Sequence, residues 1–208
     1  GGGGGSVGGG KNTSVTPTLD SVMNVTIPEP EKTVFADIKA HWCAEYAQKA
    51  CDKGIMTPAD ENTFEPDLKV TRGDFAVMLL KTIGAEEQEY KNGFADVSAD
   101  DNFAGAVQAL LDMGVISKDT MFNPGDFVTR EQVCKMVMIA LNTEIPEQYD
   151  ISQLTDLTDV SDWERPYVAA AINAKIMVGT GENIFSPLEN IDRAQCAALV
   201  VKILNSLL

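Results

Sequence analysis

The sequence predicts an all-α fold: a pseudo-threefold module of three helix-loop-helix units behind a flexible Gly/Thr/Pro-rich tether. Three observations carry that expectation. First, the chain repeats itself, with Phe35-Ala36-Asp37-Ile38, Phe94-Ala95-Asp96-Val97 and Leu157-Thr158-Asp159-Val160 opening units 59 and 63 residues apart. Second, each unit holds a Phe-x-Pro and an arginine in constant register: Phe64, Pro66 and Arg72; Phe122, Pro124 and Arg130; Phe185, Pro187 and Arg193. Third, apolar residues recur at three- and four-residue steps, the period of an amphipathic helix. One helix pair cannot bury its apolar face alone, so three copies are expected to share a core.

Taken in order, residues 1–34 join a glycine tract to a Thr/Ser/Pro-rich stretch without periodicity, which predicts an extended tether. The units are expected at 35–92, 93–154 and 155–208. Their first helices are read from the stripes Cys43, Ala47, Ala50; Phe103, Val107, Leu110, Leu111; and Tyr167, Ala170, Ala171, Ala174. Gly54-Ile55 and Gly114-Val115 end the first two, whereas the third has Lys175-Ile176. The second helices carry Phe75, Met78, Leu79; Val133, Met136, Val137, Ala140; and Cys196, Leu199, Val200, Ile203. Thr71 with Asp74, Thr129 with Gln132, and Asp192 with Gln195 stand as N-caps and their third-residue partners, Asp74 being a weaker fit than glutamine.

Composition narrows the function. In 208 residues, 44% are apolar, sufficient for a core. The formal net charge of −15 disfavours nucleic acid and anionic membrane as partners. No apolar run is long enough to span a membrane and no basic-then-apolar leader is visible, so no membrane insertion is expected. The glycine tract suggests a piece of a longer chain, with a cargo domain before it. Cys43 and Cys51 are too far apart along one helix to bridge each other; Cys134 with Cys196 is geometrically conceivable. The single histidine, His41, lacks a nucleophile motif around it, and acid pairs such as Asp100-Asp101 and Glu86-Glu87 read as solvated surface. No enzyme, cofactor or metal is expected; Asp96, Asp100 and Asp101 leave room for a weak calcium site at most.

The arginines need a separate account. Arg72, Arg130 and Arg193 each fall in the first turn of a helix, where the dipole disfavours a cation. A solvated arginine, or one paired with a local acid such as Asp37, explains any single case. Three at one register define three equivalent grooves in which a guanidinium and a helix N-terminus together suit an anion, and the planar fork suits a carboxylate. Trp42 and Trp163 stand early in the first helices of units one and three, with Asn102 at the second position. Packing is the first expectation for the indoles, and stacking under a sugar ring the functional one.

The succession aromatic-x-Asp-aliphatic, Trp, Gly-Ile, Phe-x-Pro and aliphatic-Thr-Arg-x-acid resembles the S-layer homology repeat, whose hallmark is Ile-Thr-Arg-Ala-Glu. The resemblance runs from about Phe35 to the C-terminus. It implies a secreted, non-catalytic module at the bacterial cell wall that binds secondary cell-wall polysaccharide linked to peptidoglycan. It further implies recognition of a pyruvate ketal by the hallmark arginines, here Arg72, Arg130 and Arg193. With Trp42, Trp163, Asp37 and Thr71 these are the candidate ligand-binding residues. The sequence departs from the pattern at Gln132, Gln195 and Asp192, and at Asn102 in unit two. Glu131 and Asp192 stand beside Arg130 and Arg193 as candidate neutralising acids. Unit one, with Trp42 and Thr71-Arg72, is the preferred groove. A repurposed module that binds another protein or itself is the alternative.

Overall fold

A computed structural model describes residues 35–208; the tether expected over 1–34 lies outside the described residues. Six helices carry the fold, two per repeat: α1 Ala44–Asp52, α2 Arg72–Thr82, α3 Ala104–Asp112, α4 Arg130–Ala140, α5 Arg165–Asn173 and α6 Arg193–Ser206. The all-α class and the three repeats are as the sequence predicts. Among the described residues no helix is long and apolar enough to cross a membrane.

Local chemistry explains each boundary. Thr71, Thr129 and Asp192 cap α2, α4 and α6 by accepting from the backbone of Asp74, Gln132 and Gln195. Gln132 and Gln195 return the hydrogen bond and complete capping boxes, while Asp74 instead accepts from the Thr71 hydroxyl at 2.8 Å. α1, α3 and α5 all end in a Schellman motif, with Ile55, Val115 and Ile176 donating to Ala50, Leu110 and Ala171. The left-handed residue is Gly54, Gly114 and, in the third repeat, Lys175 at φ +57°.

Packing runs between repeats in a ring. The second helix of each repeat lies on the first helix of the next: α2 on α3, α4 on α5, and α6 back on α1. At the centre three short segments close a triangle of backbone hydrogen bonds. Val70 N–H donates to Ile191, Ile191 to Val128, and Val128 to Val70. The stripes read from sequence are buried with few exceptions; Ala174 is exposed, because α5 has already ended at Asn173.

The third repeat begins in a different register from the one expected. Asp37 accepts from the N–H groups of Phe64 and Glu65, and Asp96 from those of Phe122 and Asn123. Their counterpart is Asp156, which accepts from Phe185 and Ser186, and not Asp159. The opening motif of the third repeat is therefore Leu154-Thr155-Asp156-Leu157. All four cysteines are free, so Cys134 and Cys196 are not bridged.

Candidate functional site

Each Phe-x-Pro loop is held open by its aspartate, which captures two successive N–H groups and fixes the middle residue, Glu65, Asn123 or Ser186, in the left-handed region. The loop then receives the arginine of the preceding repeat. Arg72 Nε donates to the Phe122 carbonyl at 2.9 Å, Arg130 Nε to Phe185 at 2.9 Å, and Arg193 Nε to Phe64 at 2.8 Å. Each guanidinium also lies over the ring of that phenylalanine, at 4.9, 4.9 and 4.6 Å from the centroid. The free N–H groups at the helix starts are met by the same loops: Arg72 and Gly73 donate to Asp126 and Pro124, with the same pairing at Arg130 and Arg193. The cation at the helix N-terminus thus has its partners in the neighbouring repeat.

The three arginines differ beyond Nε. Arg130 also donates to the Val178 carbonyl at 2.6 Å, and Arg193 to Thr57 at 2.7 Å. Arg130 is 4% exposed. For Arg72 the Nε bond to Phe122 is the side-chain hydrogen bond found among the described residues. Burial pulls the Arg72 and Arg130 guanidiniums below the usual arginine range, with Asp126 and Asp96 opposing that at Arg72; both remain cationic near neutrality.

Among the described residues, grooves at two of these junctions stand out. One, about 380 Å³, lies at Arg72 and is bordered by Phe127, Gln132, Lys135 and Glu164. The other, about 400 Å³, lies at Arg193 with Lys69, Lys81 and Asn102. Both fall in the range that holds a small ligand.

The candidate residues are redistributed by this geometry. Trp42 is not at the Arg72 groove, which draws its walls from repeats two and three. Asp37 does not pair with Arg72; it shapes the loop that Arg193 enters. The Thr71 hydroxyl is spent on the cap. Trp42 and Trp163 are 58% and 69% exposed, so the expected packing of their indoles is not found. Glu131 does not neutralise Arg130: it accepts from the Ser161 N–H and hydroxyl at 3.0 and 2.9 Å. Asp192 caps α6 and pairs with Lys69 at 3.4 Å, not with Arg193.

Sequence reasoning missed Lys69, Lys81, Lys135 and Glu164. Lys81 stands nine residues after Arg72, as Lys202 does after Arg193, a register visible in the repeats; Lys135 and Glu164 have no counterpart to reveal them. His41 Nδ1 lies 3.0 Å from the Cys43 sulfur, but burial pushes that thiol up to about 11, so it stays protonated and is a poor nucleophile at neutral pH. Among the described residues no group of three or more His, Cys, Asp or Glu side chains is arranged to hold a metal.

The described residues form a closed ring of three helical repeats, with an arginine of one repeat seated in the Phe-x-Pro loop of the next at each junction. The chain belongs to the S-layer homology domain family, whose matches cover residues 34–76, 93–134 and 153–197, together more than half of it. An amylopullulanase of Thermoanaerobacterium thermosulfurigenes is 31% identical over 85% of this chain and 10% of its own length. An exoglucanase, XynX, of Acetivibrio thermocellus is 30% identical over 84% of the chain and 16% of its own length. An S-layer protein of Bacillus thuringiensis subsp. finitimus is 27% identical over 90% of the chain and 24% of its own length. The chain therefore spans between a tenth and a quarter of these relatives. The S-layer homology domain is a non-catalytic anchoring domain, and the matches place the protein at the bacterial cell surface and wall.

Proposed function

We propose that the module attaches a larger secreted protein to the wall by binding pyruvylated secondary cell-wall polysaccharide, linked to peptidoglycan, in the grooves between repeats. The carrying observation is Arg72, which lines a groove: its Nε is committed to Phe122, while its two terminal nitrogens have no protein hydrogen-bond partner among the described residues. A ketal carboxylate fits that fork. Arg193 with Lys81 offers a second position, and Arg130, buried with its Nε and one terminal nitrogen engaged, acts as a clamp that shapes the adjoining junction. Trp42 and Trp163 provide exposed faces for sugar stacking. Asp37 and Thr71 serve the grooves through the loop and cap they hold. Several weak contacts on one polymer add through effective concentration, and the net charge of −15 confines a polyanionic glycan to these cationic points. The cargo is assigned to the part of the parent chain before the glycine tract.

Co-sedimentation of the protein with peptidoglycan carrying its native polysaccharide tests this reading, with and without chemical removal of pyruvate. Loss of sedimentation on pyruvate removal and, separately, in a folded Arg72→Ala variant is expected. Sedimentation indifferent to both would favour a protein contact instead.

A further inference from the structure

One buried group decides the charge of the Arg72 groove. Its lining carries three cations, Arg72, Lys118 and Lys135, and three acids, Asp119, Asp126 and Glu164, so with all six ionised the groove is balanced. Of these acids Asp119 and Asp126 are exposed, whereas Glu164 is 5% exposed. The groove at Arg193 differs on both counts. There Lys69, Lys81 and Arg193 outnumber Asp74 and Glu87, and both acids are exposed.

A carboxylate out of water is stable only when its charge is fully answered, and that of Glu164 is answered in part. Oε1 accepts from Lys135 Nζ at 3.3 Å, while Oε2 is buried without a hydrogen-bond partner among the described residues. Around it, α4 contributes Lys135, a second acid in Glu131, which Ser161 holds, and the Cys134 thiol, itself pushed up by burial. From its own segment come the Asp162–Arg165 ion pair, at 2.9 Å, the Trp163 side chain, and Tyr167, whose ring centroid is 5.8 Å from the Lys135 ammonium. Burial raises the Glu164 carboxyl above the ordinary glutamate range; Lys135 opposes the rise and the charge of Glu131 adds to it.

We propose that Glu164 is a proton-operated control on the Arg72 groove: ionised, it cancels one cation of the lining, and protonated, it leaves the groove with a net positive charge that holds the ketal carboxylate. This rests on the carboxylate reading above and adds its regulation. No contact between Glu164 and the sugar is required, because the effect is that of a charge in the wall on an anion in the groove. Lys135, half-buried and freed from its counter-ion, then adds its charge to that of Arg72. The sign follows from linkage. An anion favours the protonated form of Glu164, so the complex takes up protons, and affinity rises as the pH falls through the Glu164 titration. The Arg193 groove, with no buried acid in its lining, lacks this control.

The test measures, by calorimetry from about pH 8 down to about pH 5, the binding of the methyl glycoside of an N-acetylhexosamine bearing pyruvate as a 4,6-ketal, with its methyl ester as control. It uses the full 208-residue chain. Wild-type affinity is expected to rise about five- to tenfold over that range, with proton uptake seen as a dependence of the heat on the buffer. Glu164→Gln, neutral throughout, should hold the higher affinity at every pH. A dependence that persists undiminished in Glu164→Gln overturns the inference. If the ester binds more weakly than the acid but wild-type affinity is flat with pH, the carboxylate reading stands and this inference falls; if the wild type binds neither probe, both fall. Should the glutamine variant not fold, Lys135→Gln is read instead: loss of the opposing cation should move the midpoint of the affinity change to higher pH, and an unmoved midpoint overturns the inference.

Discussion

Arg72, Arg130 and Arg193 occupy positions where the helix dipole alone repels a cation. Their compensation is a carbonyl oxygen and the face of a phenylalanine from the next repeat, both placed by an aspartate that captures the loop's N–H groups. The register of the arginines was legible, but their partners were not, since they lie 50, 55 and 129 residues away. Asp156 was misread for a residue-scale reason. Leu154-Thr155-Asp156-Leu157 and Leu157-Thr158-Asp159-Val160 are overlapping copies of one pattern, and the N–H groups of Phe185 and Ser186 select between them. Lys175 gives a residue-scale prediction. It holds φ +57° where the other repeats have Gly54 and Gly114, and a Cβ there is disfavoured by about 1 kcal/mol. Lys175→Gly is expected to stabilise the protein by about 0.5 kcal/mol at most after the added freedom of the unfolded chain is counted. A rise in the urea midpoint with unchanged slope checks it; a fall would show that the lysine side chain contributes more than its backbone strain removes.

At the scale of the helix, α2 shows how each inter-repeat contact is individually fitted. Gly73, the second residue of α2, lies against Phe103 just before α3, and a Cβ at 73 would stand 2.9 Å from the ring. The equivalent pairs are Glu131 with Glu164 and Ala194 with Cys43. Small faces large in one junction, moderate faces moderate in another, and two acids with separate partners meet in the third. Helix propensity alone says Gly73→Ala should stabilise α2 by up to about 1 kcal/mol. Overpacking against Phe103 reverses that, and a net loss of about 1–2 kcal/mol is expected. In a Phe103→Cys background, which restores the side chain that repeat one carries there, the same alanine should be neutral or stabilising. Additive effects across this double-mutant cycle would show that the ring does not set the size at position 73. The apolar stripes, caps and Schellman ends were legible because they are contacts within five residues. The Gly73–Phe103 complementarity was not, because it joins two repeats.

For the molecule as a whole, ring closure decides stability. An open array of helical repeats tolerates the loss of its last unit, because each repeat needs only its neighbours. Here α6 covers α1, Ile191 takes the Val70 N–H, and Arg193 binds the Phe64 loop. Removing the third repeat therefore uncovers the first one as well as the second. A chain ending at residue 152 is expected to lose cooperative thermal unfolding by circular dichroism. Arg193→Ala in the full chain should cost about 2–4 kcal/mol, from two hydrogen bonds to a charged donor and the contact with the Phe64 ring. A truncated chain that still unfolds cooperatively would mean that the repeats behave as an open stack.

By itself the sequence determined the helical class, the threefold repetition, the caps and the constant place of the arginines, because periodicity and capping are local and recur in each copy. Only the tertiary structure decided what those arginines touch, that Trp42 and Arg72 belong to different junctions, and that Glu164 and Lys135 stand in the Arg72 groove. The physical reason is the same in each case. Every groove is assembled from neighbouring repeats, and the closing of a ring brings together residues that no interval along the chain connects.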